Sequence, residues 1–344
     1  MDNERTIAIE DLETFCAEAF AALGVTRSNA QLLAGILVEA ELRGHASHGV
    51  RLVAYYSPRV KAGTIKPKPK VRMLRESPIS VLVDADYGFG GIACTRALER
   101  CLIKAGTSGV GIAGVHNSSH LFIPAHYVLR AARQGYIAIC TSVAEAVMPV
   151  TGGMGRMLGN NPWAFGVPVG DQDPMVLDIA PSASFAKVRM HAAENAPLPD
   201  GWALDKDGNP TTDAQAALIG SLLPLGDHKG YGLAMVSELI AGVLSGNDYG
   251  PDSGESGKVG HFLLVMDPSL FIAHPDFARR VTEYISRIKA SPRRPGVDEI
   301  FYPGERAGRL EREARARGTH VLPRIVWEPM KETAAELGIS LELR

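Results

Sequence analysis

Three short stretches of this chain gather side chains that can move protons or hold anions. His45-Ala46-Ser47-His48-Gly49-Val50-Arg51 combines two imidazoles, a hydroxyl and a guanidinium. His116-Asn117-Ser118-Ser119-His120 combines two imidazoles with hydroxyls and an amide, and Asp227-His228-Lys229-Gly230-Tyr231-Gly232 sets a lysine among glycines. Hydride transfer to a carbonyl needs a proton donor for the forming alkoxide, and histidine suits that task near neutral pH. A carboxylate substrate also needs a cation. Arginine offers a bidentate fork and lysine a point charge. His48 and His120 stand out from ordinary solvated histidines because each sits beside small or hydroxyl residues at the end of an element. Lys229 and Arg51, taken alone, read equally as surface residues. The imidazole spacings, i,i+3 and i,i+4, would also suit a metal hydrolase, but neither cluster contains a carboxylate and no His-Glu-x-x-His occurs, so that reading is the weaker one.

These groups need elements to position them. Leu12, Phe15, Cys16, Ala19, Phe20 and Leu23 repeat at helical spacing over 10–23, and Gly24 stops the run. Thr26-Arg27-Ser28 caps a second helix that runs to about Arg43 and ends at Gly44, which puts Ser47 and His48 at a helix-to-loop junction. Lys66-Pro67-Lys68-Pro69-Lys70 cannot be helical and is expected to be a linker. Strands over 79–83, 110–115 and 137–141 alternate with helices over 95–105 and 125–133, which indicates an α/β core. His116 to His120 then follow a strand's carboxyl end, where such folds place ligands. Further strands are expected over 164–168, 175–179 and 261–266, and a long apolar helix over 230–244. Lys229 would stand at that helix's N-terminus, a position that favours an anion. The Gly- and Ser-rich stretch 247–260 is expected to be mobile, and the last seventy residues return to helix.

Gly109-Val110-Gly111-Ile112-Ala113-Gly114 spells G-x-G-x-x-G. A Rossmann phosphate loop needs this motif after a strand and at the start of a helix. Here a helix precedes the glycines and the motif runs into a strand. The acid expected about twenty residues later is also absent, since no Asp or Glu occurs between Val115 and Ala144. The glycines therefore read as a helix stop at Gly106 or Gly109 followed by a buried strand.

Composition narrows the remaining classes. With 344 residues, 46% hydrophobic and 22% charged, the chain is of ordinary globular enzyme composition. A net charge of -2 with mixed signs leaves no electrostatic footprint for nucleic acid or an anionic membrane. Cys16, Cys94, Cys101 and Cys140 are too sparse for a disulfide framework and fit a reducing compartment. Met1-Asp2-Asn3-Glu4-Arg5 lacks a signal-peptide pattern, and no apolar run approaches a membrane span, so the expectation is cytoplasmic.

Taken in order along the chain, several stretches resemble the type-2 malate/L-lactate dehydrogenase family, also called sulfolactate-dehydrogenase-like. They are Arg43 to Gly49, Asn117 to His120, Gly159-Asn160-Asn161-Pro162, Leu177-Asp178-Ile179-Ala180, Pro199 to Asp205, Leu223 to Gly232 and Tyr302-Pro303-Gly304-Glu305. The resemblance covers nearly the whole chain. It implies an α/β, non-Rossmann NAD(P)-binding fold with a mixed sheet. A helical segment at 1–70, completed by 275–344, would accompany an α/β cofactor-binding and catalytic region at 71–274. It implies a homodimer, NAD or NADP as cofactor and a small 2-oxo or 2-hydroxy carboxylate as substrate. His120 would be the acid/base, with Ser47 and His48 as active-site partners. Arg51, Phe122 and Asn160 would meet substrate. Asp178, Ile179, Ala180, Lys229, Pro303, Gly304 and Glu305 would meet the dinucleotide.

Departures from the family pattern concern the substrate. Phe122 stands where the family usually has glycine, predicting a narrower pocket, and His126 replaces another small residue. The family arginine four residues after the Ser-His-Gly histidine is Leu52 here, with Arg51 one position earlier, and Ala144 stands where a cofactor-binding serine is often found. A cyclic imine carboxylate is the alternative substrate class, and a non-catalytic cofactor-binding dimer is the alternative from another class.

Overall fold

The computed structural model describes residues 4–253 and 258–342. Residues 254–257, part of the stretch expected to be mobile, lie outside the described residues. At the centre is a seven-stranded mixed sheet. Across it run Arg72–Glu76, Ser80–Gly88, Val110–Ser118, Val259–Met266, Ile137–Ser142, Trp163–Val167 and Met175–Ile179. Ser80–Gly88 and Val110–Ser118 are parallel, and the other neighbours are antiparallel. All six of the expected strands belong to this sheet. Their apolar runs are nearly continuous because both faces are covered.

Glycines mark where the covering helices come closest. Helices Gly90–Ser108 and Pro124–Ala132 cover one face. A Cβ at Gly111 would lie 2.0 Å from the Cys101 carbonyl oxygen, and one at Gly166 would lie 2.5 Å from that of Val128. Side chains alternate along a strand, so Gly114 points the other way, toward Ser245. On that side runs helix His228–Ser237, which continues as a π-helical turn over Glu238–Val243. The expected single helix over 230–244 is thus widened in its second half, where a Cβ at Gly260 would come within 1.9 Å of the Ala241 carbonyl oxygen. Gly109 is the left-handed C-cap of the Gly90–Ser108 helix at φ 79°. Packing and a helix stop thus account for Gly109 and Gly111 of the motif.

The two ends of the chain meet. Glu4–Ala8 pairs antiparallel with Thr319–Pro323. Helices Ile9–Ala22 and Arg27–Leu42 follow the expected periodicity and pack on each other. The second also touches Glu305–Arg317, where Arg43 and Glu311 form a buried ion pair at 2.9 Å. Helix Leu52–Lys61 packs on Arg324–Leu337. This short helix is absent from the sequence reading because it contains Pro58 and offers only Leu52, Val53 and Tyr56 as large buried apolar side chains. Burial of Val53 and Tyr56 in the common core outweighs its weak local signal. The 66–70 segment is not helical, as expected, and hydrogen-bonds the Ser80–Gly88 strand through Lys66.

Replacing Gly111 by Ala should force a methyl against helix backbone that cannot yield as a side chain would. The expected cost is about 1–3 kcal/mol, read as a lower urea midpoint with unchanged slope. An unchanged midpoint would show that the helix and strand are less tightly apposed.

Candidate active site

The Val110–Ser118 strand delivers His120 into a tight turn. The backbone there is so close to the Gly90–Ser108 helix that a Cβ at Gly90 would lie 2.3 Å from the Ser119 carbonyl oxygen. Such a buried turn needs partners for its polar groups. The Ser119 hydroxyl accepts the Gly90 amide at 3.2 Å. Behind the turn lies His261, fully buried on the Val259–Met266 strand, with Nε2 2.9 Å from Ser118 Oγ and 3.1 Å from the Ser119 carbonyl oxygen. Because a carbonyl only accepts, Nε2 carries the proton, and Nδ1 accepts from Ser142 Oγ at 2.8 Å. Burial pushes His261 down to about 3, opposed by its bond to Ser119, so it is a neutral strut.

His120 itself is held through Nδ1. The Tyr56 hydroxyl lies 2.9 Å from it and the Phe122 amide 3.3 Å from it. Among the described residues Nε2 has no protein partner, and it keeps contact with solvent. The ring of His48 stacks on that of His120 with centroids 5.6 Å apart, and Ser47 Oγ meets His48 Nδ1 at 2.8 Å. Burial lowers His48 to about 4, with smaller contributions from His45 and Arg51. Burial likewise lowers His120 to about 3, helped by His48, His261 and Arg59. Both rings are therefore neutral at pH 7, each with its Nδ1 bound by the protein.

The remaining expected residues fall into three groups. Asp178 is the next-to-last residue of the Met175–Ile179 strand, and its Oδ2 accepts the Ala125 amide at 3.0 Å, in the first turn of Pro124–Ala132 after the His120 loop. Burial raises its carboxyl to about 6, against that hydrogen bond. From Ile179 and Ala180 the chain passes Pro181, whose carbonyl accepts the Leu225 amide at 2.7 Å. That contact, and Gly230 packed on the same carbonyl, seats Lys229 nearby in the first turn of its helix, exposed and with no ion pair among the described residues. These residues, dispersed in the chain, are thereby linked in space from Lys229 to His120. Pro303, Gly304 and Glu305 lie toward the other end of the Met175–Ile179 strand. The Pro303 carbonyl accepts the Val176 amide at 3.0 Å, and a Cβ at Gly304 would meet Val176 backbone at 2.8 Å. Glu305 is engaged by Lys289 and by the Tyr302 amide. Packing and capping thus account for this last motif in the single chain.

Two side chains expected at the substrate lie elsewhere or act differently. The Phe122 ring, expected to narrow the pocket, is 1% exposed and packs behind His120 against Tyr56 at 4.8 Å. Its backbone explains the family glycine, because φ is 75° there, a conformation costly for a residue with a Cβ. In the Asn160-Asn161 pair, it is Asn161 that is buried. It accepts the Ala144 amide at 2.8 Å and donates to Glu238 at 2.8 Å, while Asn160 is half-exposed with no side-chain hydrogen bond among the described residues. Arg51 is half-exposed at the start of helix Leu52–Lys61, beside His48. Tyr56, His261 and Arg59 went unnoticed in the sequence. Arg59 stacks on the Tyr55 ring at 3.5 Å, and Tyr55 meets His120 edge-on at 6.3 Å. A surface groove of about 740 Å³ between the first two helices is lined by Glu10, Glu13, Glu18 and Arg27 and contains none of the expected site residues.

Residues 7–331 match the model of the malate/L-lactate dehydrogenase family. The chain superposes on malate dehydrogenase from Pyrococcus horikoshii with a TM-score of 0.89 at 31% identity, covering 99% of this chain and 97% of that one. It is 34% identical to the (2R)-3-sulfolactate dehydrogenase (NADP(+)) of Chromohalobacter salexigens, over 78% of this chain and 82% of the relative. It is 30% identical to the ureidoglycolate dehydrogenase (NAD(+)) of Escherichia coli, over 92% of each.

The lowered histidines carry a stability consequence. Unfolding returns His48, His120 and His261 to ordinary behaviour, so between about pH 6.5 and pH 4 the unfolded chain binds protons that the folded chain does not. Their contribution is intact above that window and lost as the pH falls through it. Replacing His120 by Gln should lower proton uptake on unfolding at pH 5 by about one, read from the pH dependence of urea midpoints. An unchanged dependence would mean that His120 is already charged in the fold.

Proposed function

The chain belongs to the malate/L-lactate dehydrogenase family and is an oxidoreductase, and from that premise we propose the chemistry of its site. It moves a hydride between NAD or NADP and the α-carbon of a small 2-oxo or 2-hydroxy carboxylate, with His120 as acid/base. The observation that carries this reading is the accessible Nε2 of His120, on a ring whose other nitrogen is bound by the protein and whose face is covered by His48. A proton-transfer group needs that combination of fixed aim and one open edge. Bound nicotinamide supplies the hydride. The chain does the rest. Asp178, Ile179 and Ala180, with the free ammonium of Lys229 at a helix N-terminus, suit the dinucleotide and its phosphates. Arg51, near enough to His48 to act on its charge, and Arg59, near enough to act on His120, have no carboxylate partner among the described residues and suit the substrate's acid group. His120, neutral when substrate is absent, is poised to take a proton during oxidation. In reduction an anionic substrate beside it favours the imidazolium that donates one.

We further read the molecule as a homodimer in the cytoplasm. Leu233, Val236, Leu239, Val243 and Leu244 leave one apolar side of the Lys229 helix exposed, with Tyr249 beside it, and a lone soluble chain rarely presents such a contiguous patch. All four cysteines are free and buried, which suits a reducing compartment. The 1–70 and 275–344 segments form one helical unit in this reading, supported by the pairing of Glu4–Ala8 with Thr319–Pro323.

Purified protein should oxidise NADH or NADPH in the presence of oxaloacetate, pyruvate, sulfopyruvate or piperideine-2-carboxylate, the last testing the imine alternative. His120→Gln should lower turnover about a hundredfold or more while leaving cofactor affinity intact. If that variant turns over at the wild-type rate, another group is the acid. Separately, Leu239→Glu should convert the dimer to monomer in sedimentation experiments, and a wild-type sedimentation profile would place the interface elsewhere.

A further inference from the structure

In a histidine acid/base the far nitrogen needs a partner, and a carboxylate often supplies it. No carboxylate faces His120 among the described residues. The groups around its ring are His48, Tyr55, Tyr56 and Phe122, with Arg59 on Tyr55 and His261 behind Ser119. Nδ1 meets the Phe122 amide, which donates, at 3.3 Å and the Tyr56 hydroxyl, which can act either way, at 2.9 Å. The two differ in kind. An amide only donates, so it favours an unprotonated Nδ1 and a neutral ring whose proton sits on Nε2. In that tautomer Nε2 cannot accept the substrate's proton. A phenol both donates and accepts, and a second acceptor for its proton, the His120 carbonyl oxygen, lies 3.5 Å away.

We propose that Tyr56 is a positioning residue whose hydroxyl turns from donor to acceptor, pointing its own proton at the His120 carbonyl so that Nδ1 keeps a proton and Nε2 is free to exchange one with substrate. The inference rests on His120 being the acid/base. The ring of Tyr56 is built for a fixed aim. It is fully buried, with Phe20, Phe89 and Phe122 around it at 6.2, 5.4 and 4.8 Å. Burial holds the phenol well above its ordinary ionisation range, so it stays neutral. The working cycle balances without any further group. In oxidation Nε2 takes the substrate's hydroxyl proton as the α-carbon would give its hydride to NAD(P)+, and Nδ1–H of the resulting imidazolium is accepted by Tyr56. In reduction the same proton returns from Nε2 to the alkoxide oxygen.

Tyr56→Phe in the full-length protein with bound NAD(P)H tests this. Loss of the acceptor leaves only the Phe122 amide at Nδ1 and disfavours the imidazolium. Turnover should fall about ten- to a hundredfold in both directions, with both KM values within about twofold. The alkaline limb of the reduction profile should move to lower pH, because the proton donor now loses its proton earlier. In ¹⁵N-histidine spectra, with His120 identified by its loss in His120→Gln, the variant should hold more of the neutral Nε2-protonated form than wild type. Wild-type turnover in Tyr56→Phe overturns the proposal. So does a lower turnover with unmoved pH profiles and an unmoved His120 spectrum, which is the signature of mere packing loss. If His120→Gln is itself fully active, the acid/base reading fails, while the spectrum still decides whether Tyr56 sets the tautomer.

Discussion

The turn that follows the central parallel strand has to bury a backbone without leaving it unsatisfied, and the rest of the site is arranged around that requirement. Ser118 and Ser119 are buried against the Gly90 end of a helix, so their hydroxyls and carbonyls need partners inside the protein. His261 meets that need from the neighbouring strand, with each of its nitrogens bonded to a serine hydroxyl and Nε2 also to the Ser119 carbonyl. Burial disfavours a charge on this imidazole, so it does this as a neutral ring. With the turn fixed, His120 emerges at a defined angle, and the left-handed Phe122 sends its amide back to the same ring.

The close approach that gives this turn its rigidity also explains the glycines. Gly90 and Gly91 lie beneath the His120 loop and the Phe122 ring, and Gly111 lies beneath the helix they begin. A pattern that spells a phosphate loop thus serves helix-against-strand packing. Lys229, the residue proposed for the dinucleotide phosphates, is elsewhere, where Gly230 lets its helix press on the Pro181 carbonyl and so on the segment that follows Asp178. Phe122 illustrates how a departure from a family pattern can be absorbed. Its ring turns away from the open side of His120 and fills core space beside Tyr56 and Leu33, so the substitution acts through backbone strain and packing rather than by crowding the substrate side.

Much of this was legible in the chain itself. Strong periodicities showed both N-terminal helices and the buried strands of the sheet, and the order of helix, glycines and strand argued against a Rossmann loop, because these signals are local and repeat over several residues. Residue chemistry likewise singled out His48, His120 and Lys229. The short Leu52–Lys61 helix escaped notice because Pro58 masks it, and Tyr56 escaped with it. The same limit applied to His261, which looks like any polar residue inside an apolar strand. What makes Tyr56 and His261 matter is distance in space: one lies 64 residues from the ring it touches and the other 142 from the carbonyl it holds. Local sequence determines which elements form and which groups can carry a proton. Only tertiary packing decides which nitrogen of His120 is bound, which is open and what keeps it uncharged, because those depend on burial and on partners that no spacing along the chain encodes.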